Sequence, residues 1–125
     1  MTDSQQHALA QAERERDRRM RRRLLGILHD GRANGHGGWM SAAFIRDVLF
    51  GVRPGLEGVL DDEHLVELMA DLVAKDFVTS QDTREFTWQV LTLDDRQYHI
   101  TALGSSLMMQ SIPADPDIED DRITH

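Results

Sequence analysis

The sequence predicts an α+β chain in which three helices precede a β-hairpin, and three observations carry that prediction. Apolar residues recur at helical spacing in three stretches up to Lys75, separated by glycine- and proline-rich breaks. Beyond Lys75 the pattern shifts to β-branched and aromatic residues broken by turn-forming ones, as strands require. The chain of 125 residues suits one domain with a single modest core.

The first helix is expected within "SQQHALAQAERERDRRMRRRLLGILHDG", which holds no proline and no glycine before Gly26. Leu9 stands nearly alone in its first half, whereas Met20, Leu24, Leu25, Ile27 and Leu28 form a core-facing stripe in the second. The expected division is a basic helical arm over 1–19, a packed domain over 20–112 and a flexible acidic tail over 113–125. Within the arm, Glu15 with Arg19 and Asp17 with Arg21 are candidate i, i+4 pairs. Gly31 is the expected left-handed cap, and "NGHGG" reads as a flexible link.

"SAAFIRDVLFG" is the second helix, with Ser41 as N-cap, Phe44, Ile45, Val48 and Leu49 facing the core, and Gly51 as its stop. "VRPGLEGVL" connects it to the third, "DDEHLVELMADLVAKDF", capped by Asp61 or Asp62 and packed through Leu65, Leu68, Met69, Leu72 and Val73. "FVTS", "EFTWQVLTL" and "YHIT" read as strands, the last two joined by the turn "DDRQ", with Trp88 and Tyr98 as a cross-strand packing pair. "ALGSSLMMQSI" closes the domain as a short helix or turn containing Leu103, Leu107 and Met108.

Three helices followed by a hairpin is the order of a winged helix-turn-helix, here with a long N-terminal helical extension. "LVELMADLVAKDFVT" and "YHITALGSSLM" resemble winged-helix regulators, in which the third helix leads into a strand and the wing returns as a strand ending "IT..G". Lys75, Asp76 and Phe77 stand where those families place a glycine. More narrowly, "RRLLGILHDGR", "SAAFIRDVLF", "LDDEHLVELMADLVAKDFVT" and "YHITALGSSLM" are similar in order and spacing to a small winged-helix protein of Mu-like transposable phages and prophages, labelled ArsR-like. The similarity spans about residues 21 to 118. It implies a homodimer in the bacterial host cytoplasm, a role in transcription regulation or phage assembly, and no catalytic activity.

Charge divides the chain. Residues 1–32 carry eight arginines against five acids, while residues 33–125 carry six basic and seventeen acidic residues, within a total of -8. "RERDRRMRRR" puts seven arginines in ten positions. Arg14, Arg16, Arg18, Arg19, Arg21, Arg22 and Arg23 are candidate phosphate contacts, with Arg84 and Arg96 on the wing. Two other uses of the arginines stay open: an ordinary solvated helix face, or docking on acidic surface of another subunit. The third helix bears Asp61, Asp62, Glu63, Glu67, Asp71 and Asp76 against Lys75 alone, a pattern that repels a polyanion. The competing expectation is therefore a protein-interaction module that does not bind DNA.

Other chemistry finds little support. There is no cysteine, which removes disulfides, thiolate ligands and cysteine nucleophiles. His29, His36 and His64 lack ligand spacing, "NGHGG" lacks the lysine of a phosphate loop, and Ser105 sits at a required turn. Neither a metal nor a cofactor is expected, and no apolar run is long enough for a membrane span.

Overall fold

The computed structural model describes residues 2–32, 36–52 and 60–120. Its elements run α1 (Asp3–Asp30), β1 (Met40–Ser41), α2 (Ala42–Val52), α3 (Asp62–Ala74), β2 (Val78–Asp82), β3 (Arg96–Ile100) and α4 (Ala102–Met108). The three strands form one antiparallel sheet in the order β1-β3-β2, with Met40 opposite Tyr98 and Val78 opposite Ile100.

Helix α1 is a single 28-residue rod that starts at a capping box. The Thr2 hydroxyl accepts from the Gln5 N–H at 3.3 Å, and the Gln5 side chain accepts from the Thr2 N–H at 2.9 Å. The expected boundary between residues 19 and 20 falls inside this continuous rod. Its buried residues, Met20, Leu24, Leu25 and Leu28, all lie in the second half, so the first half projects from the domain. Ser41 caps α2 by accepting from the Phe44 N–H at 3.1 Å, and Asp61 caps α3 by accepting from the His64 N–H at 2.7 Å. The core joins Leu24, Leu25 and Leu28 to Ile45 and Leu49 of α2, Leu65, Leu68, Met69 and Leu72 of α3, and Tyr98 and Ile100 of the sheet. Each fully buried leucine removes apolar surface worth about 1.5–3 kcal/mol.

The exit from α3 explains the missing glycine. Asp76 takes the left-handed conformation (φ 65°), the Asp76 N–H donates to the Val73 carbonyl at 3.0 Å, and the Phe77 N–H donates to the Leu72 carbonyl at 3.1 Å. This double closure satisfies the last carbonyls of the helix, with aspartate in the place glycine usually fills. Gly104, in contrast, is set by space: a Cβ there would lie 2.2 Å from the Phe77 carbonyl oxygen.

Several expectations are corrected. "EFTWQVLTL" is not a strand; β2 pairs directly with β3, and residues 83–95 form a loop closed by the Thr83 N–H donating to the Asp95 carbonyl at 2.9 Å. Trp88 is consequently not opposite Tyr98, whose sheet partners are Met40 and Ser80. Gly31 is not left-handed (φ -90°); a Cβ there would collide with Met40 Cε. Phe44 is 51% exposed rather than in the core. Helix α2 runs one residue past Gly51, and most of the expected connection after it, 53–59, lies outside the described residues.

The tail is also corrected as far as residue 120. Ile118 is buried in the core cluster, and Arg18, Arg21 and Lys75 all bind residues 115–117. One apolar anchor and three cations hold a segment whose composition alone reads as disordered.

Candidate interaction surfaces

The helical period distributes the arginine run around α1, because each residue turns the side chain by about 100°. Arg18 and Arg21 point along the packed side. The Arg18 guanidinium donates to the Pro116 carbonyl at 2.8 Å and pairs with Glu15 at 2.9 Å. Arg21 donates to the Asp117 carbonyl at 3.1 Å and pairs with Asp71 of α3 at 2.9 Å. Arg22 meets the Met108 sulfur of α4. Arg16 lies 3.9 Å from Asp17. Arg14, Arg19 and Arg23 have no ion pair among the described residues, and Arg14 and Arg19 are exposed.

Neither expected i, i+4 pair forms: Glu15 pairs with Arg18 at i, i+3 instead of Arg19, and Asp17 and Arg21 take tertiary partners. Asp17 turns to His64 of α3 at 2.9 Å, and Arg21 turns to Asp71 instead of Asp17. The Asp17 hydrogen bond and charge, helped by Glu67 at 3.4 Å, raise the His64 pKa above its ordinary value against the opposing effect of burial. Two ion contacts thus clamp α1 to one flank of α3.

The opposite flank of α3 is exposed. Asp61, Asp62, Glu63, Glu67, Ala70 and Ala74 face solvent; among the described residues Arg46 of α2 pairs with Asp62 at 3.2 Å, His64 lies 3.4 Å from Glu67, and Arg96 lines a groove with Asp62, Glu63 and Glu67. Lys75 is not available to them. It lies 2.9 Å from Asp117 and 3.1 Å from Asp115, contacts that raise its pKa and hold the Asp117 carboxyl below the usual range.

Of the two arginines expected on the β-hairpin, Arg84 is occupied by its own loop. It donates to both carboxylate oxygens of Asp82, from Nη2 to Oδ2 at 2.6 Å and from Nε to Oδ1 at 3.1 Å, and to the Thr87 and Gln89 carbonyls at 3.1 and 2.7 Å. Its pairing lowers the Asp82 pKa. Arg96 stands opposite Asp82 in the sheet and lines an open groove of about 480 Å³ with Asp62, Glu63, Glu67, Val66, Leu91 and Leu93. Arg84 is thus committed to its own loop and Arg96 to the groove it shares with the carboxylates of α3.

Sequence reasoning missed the tip of the β2–β3 loop. Phe86 and Trp88 stack with centroids 5.6 Å apart and planes inclined by 13°, and Trp88 and Val90 are 79% and 83% exposed. Their apolar alternation was legible, but it reads equally as one buried face of a strand. Arg84 and Asp95 order the loop, so the tip is a displayed apolar patch, and Leu91 and Leu93 of the same loop line the groove beside the carboxylates of α3.

No group of three histidine, aspartate or glutamate side chains able to hold a metal occurs among the described residues. No helix among them is long and apolar enough to cross a membrane. Comparison of the chain with known protein families, with curated proteins and with solved structures finds no match.

Proposed function

We propose that the chain is a non-catalytic winged-helix protein of a Mu-like phage or prophage, acting in the bacterial host cytoplasm, whose third helix and wing bind protein and do not read DNA. The element order and the sheet order β1-β3-β2 support the winged-helix assignment, with residues 83–95 as the wing. The observation that carries the functional reading is the exposed face of α3. Where a DNA reader places groups that neutralise phosphates and contact base edges, this face offers Asp61, Asp62, Glu63 and Glu67. Lys75 and Arg84 are held by Asp117 and Asp82, which leaves Arg46 and Arg96 beside four carboxylates among the described residues. The wing loop meets that face through Leu91 and Leu93, and the same loop exposes Trp88 and Val90, so a basic partner segment with apolar anchors is the complementary ligand.

A second reading, phosphate contact by α1, is favoured by one specific feature. Arg16 and Arg19 follow one another at helical i, i+3 spacing on the side of α1 away from its buried stripe. Such a ridge supplies affinity without base reading.

Titration of the intact protein with duplex DNA over a salt series, followed by amide NMR shifts, separates the two. The protein-binding reading expects no shifts in residues 61–74 or 83–95 at low salt; shifts there overturn it. If only α1 responds, replacement of Arg16 and Arg19 by glutamine should weaken binding and flatten its salt dependence. In the complementary arm, a basic peptide carrying leucine and arginine at helical spacing should bind the α3–wing face, and Glu63→Gln with Glu67→Gln should weaken it.

A further inference from the structure

We propose that residues 115–120 are a peptide bound in cis, and that their seat on α1 and α3 is a recognition site for a partner segment of the same chemistry: two aspartates one residue apart, followed directly by isoleucine. The seat reads three kinds of group. Lys75 takes the two carboxylates, lying 3.1 Å from Asp115 and 2.9 Å from Asp117. Arg18 and Arg21 take backbone, donating to the Pro116 carbonyl at 2.8 Å and the Asp117 carbonyl at 3.1 Å. Ile118 enters the core, 2% exposed, and the Glu119 N–H donates to the Arg18 carbonyl at 3.2 Å.

The segment has the properties of a ligand rather than of a structural element. Residues 111–120 contain no helix or strand. Their shape comes from within: the Asp115 carboxylate accepts from the Asp117 N–H at 2.8 Å, and the Asp115 carbonyl accepts from the Ile118 N–H at 3.1 Å. That turn arrives preorganised, which lowers the entropy cost of docking. Its hold on the domain combines one buried apolar side chain with polar contacts: Asp120 lies 3.4 Å from Gln110, and the Asp117 side chain paired with Lys75 is 59% exposed. A cleft of about 350 Å³ stays open between α1 and the pair Pro116 and Asp117. Ion contacts open to water contribute little each, so the segment opens before the domain unfolds.

A protein segment fits this seat better than nucleic acid does. Phosphates would satisfy Lys75, but a phosphate backbone supplies neither peptide carbonyls for Arg18 and Arg21 nor an aliphatic side chain for the core socket. The native segment competes with any partner. A motif from another protein enters only while the seat is open, and its apparent affinity is reduced by that open fraction. The seat takes an acidic ligand and the α3–wing face a basic one, so neither surface depends on the other.

Fluorescence anisotropy of a labelled peptide with the sequence of residues 113–120, added to the full chain, tests the seat. The parent should bind it weakly. Ile118→Ala loosens the native segment and leaves Lys75, Arg18 and Arg21 in place, so the peptide should bind about tenfold tighter or more. Asp115→Asn/Asp117→Asn keeps the apolar anchor, and with it the fold, and should show a smaller gain of about threefold. Adding Lys75→Gln to either variant should lower the affinity again by about threefold. A scrambled peptide of the same composition should bind neither. In the parent, hydrogen exchange should show the Ile118 and Glu119 amides opening well before those of Leu25 and Leu28. A cooperatively melting variant of either kind that shows no gain overturns the proposal. So do indifference to Lys75→Gln, equal binding of the scrambled peptide, equal protection of the four amides, or capture of labelled duplex DNA by the loosened variants without capture of the peptide. These variants leave Glu63, Glu67, Arg16 and Arg19 untouched, so failure here and failure of the α3–wing reading are distinguishable.

Discussion

The arginine run of α1 and the carboxylate run of α3 are both blocks of like charge on a helix, yet they are used differently. In α1 the period turns Arg18 and Arg21 inward, where they bind the C-terminal segment and Asp71, and leaves Arg14 and Arg19 outside. In α3 only Asp71 enters such a clamp, Asp61 caps the helix end, and Asp62, Glu63 and Glu67 remain on the exposed side. Part of the basic run is therefore architecture, whereas the acidic run is mostly display. A like-charge block does not define a binding site until the helical period has divided it.

The strongest way to break the inward half of that contrast is to remove what it holds. Ile118 is 2% exposed and is the apolar anchor beneath the carbonyls that Arg18 and Arg21 bind. Ile118→Ala should destabilise the protein by about 2–4 kcal/mol in urea unfolding. It should also expose residues 113–120 to proteolysis, leaving the second half of α1 protected. Equal proteolysis of both segments would show that the tail does not fold onto a preformed domain.

A paired substitution sharpens the same contrast at smaller magnitude. Arg21→Gln should lose about 1 kcal/mol, reduced from a fully buried pair because Asp71 is 48% exposed. Arg19→Gln should stay within about 0.5 kcal/mol, since Arg19 is exposed and without an ion pair among the described residues. Indistinguishable unfolding midpoints would remove the distinction between architectural and displayed arginines. On the acidic side, Asp76 serves through its backbone rather than its charge. Asp76→Gly should therefore stabilise by about 0.5–1 kcal/mol, while Asp76→Asn should be nearly neutral.

These contrasts also mark what could be read in the sequence. The three long helices and the caps Ser41 and Asp61 were legible because apolar spacing and capping chemistry are local. Strand β1 was not, since Met40 and Ser41 alone carry no periodicity and are defined only by pairing with Tyr98 and Gln97. Phe86, Trp88 and Val90 alternate as a strand should, but β3 is already paired on both edges, by β1 and β2. The acidic surface of α3 was visible as composition. The capture of Lys75 by Asp115 and Asp117 was not, because it links residues 40 apart or more.

The contact between the two runs offers the finest test. His64 of α3 lies between Asp17 and Glu67, and its raised pKa means that the folded protein binds its proton more tightly than the unfolded chain. The resulting stability is fully present below the unfolded value of about 6.5 and is lost as pH rises through the folded value. The His64 and Asp17 side chains are 28% and 23% exposed, so solvent screening should hold the effect to about 0.5 kcal/mol. Urea midpoints of the parent and of His64→Gln, measured from about pH 6 to about pH 8.5, isolate this contribution. The parent should lose stability relative to the variant across that interval, because glutamine cannot acquire the charge that Asp17 attracts. Parallel curves would mean that the clamp between α1 and α3 rests on Arg21 and Asp71, with His64 acting only as a neutral hydrogen-bonding group.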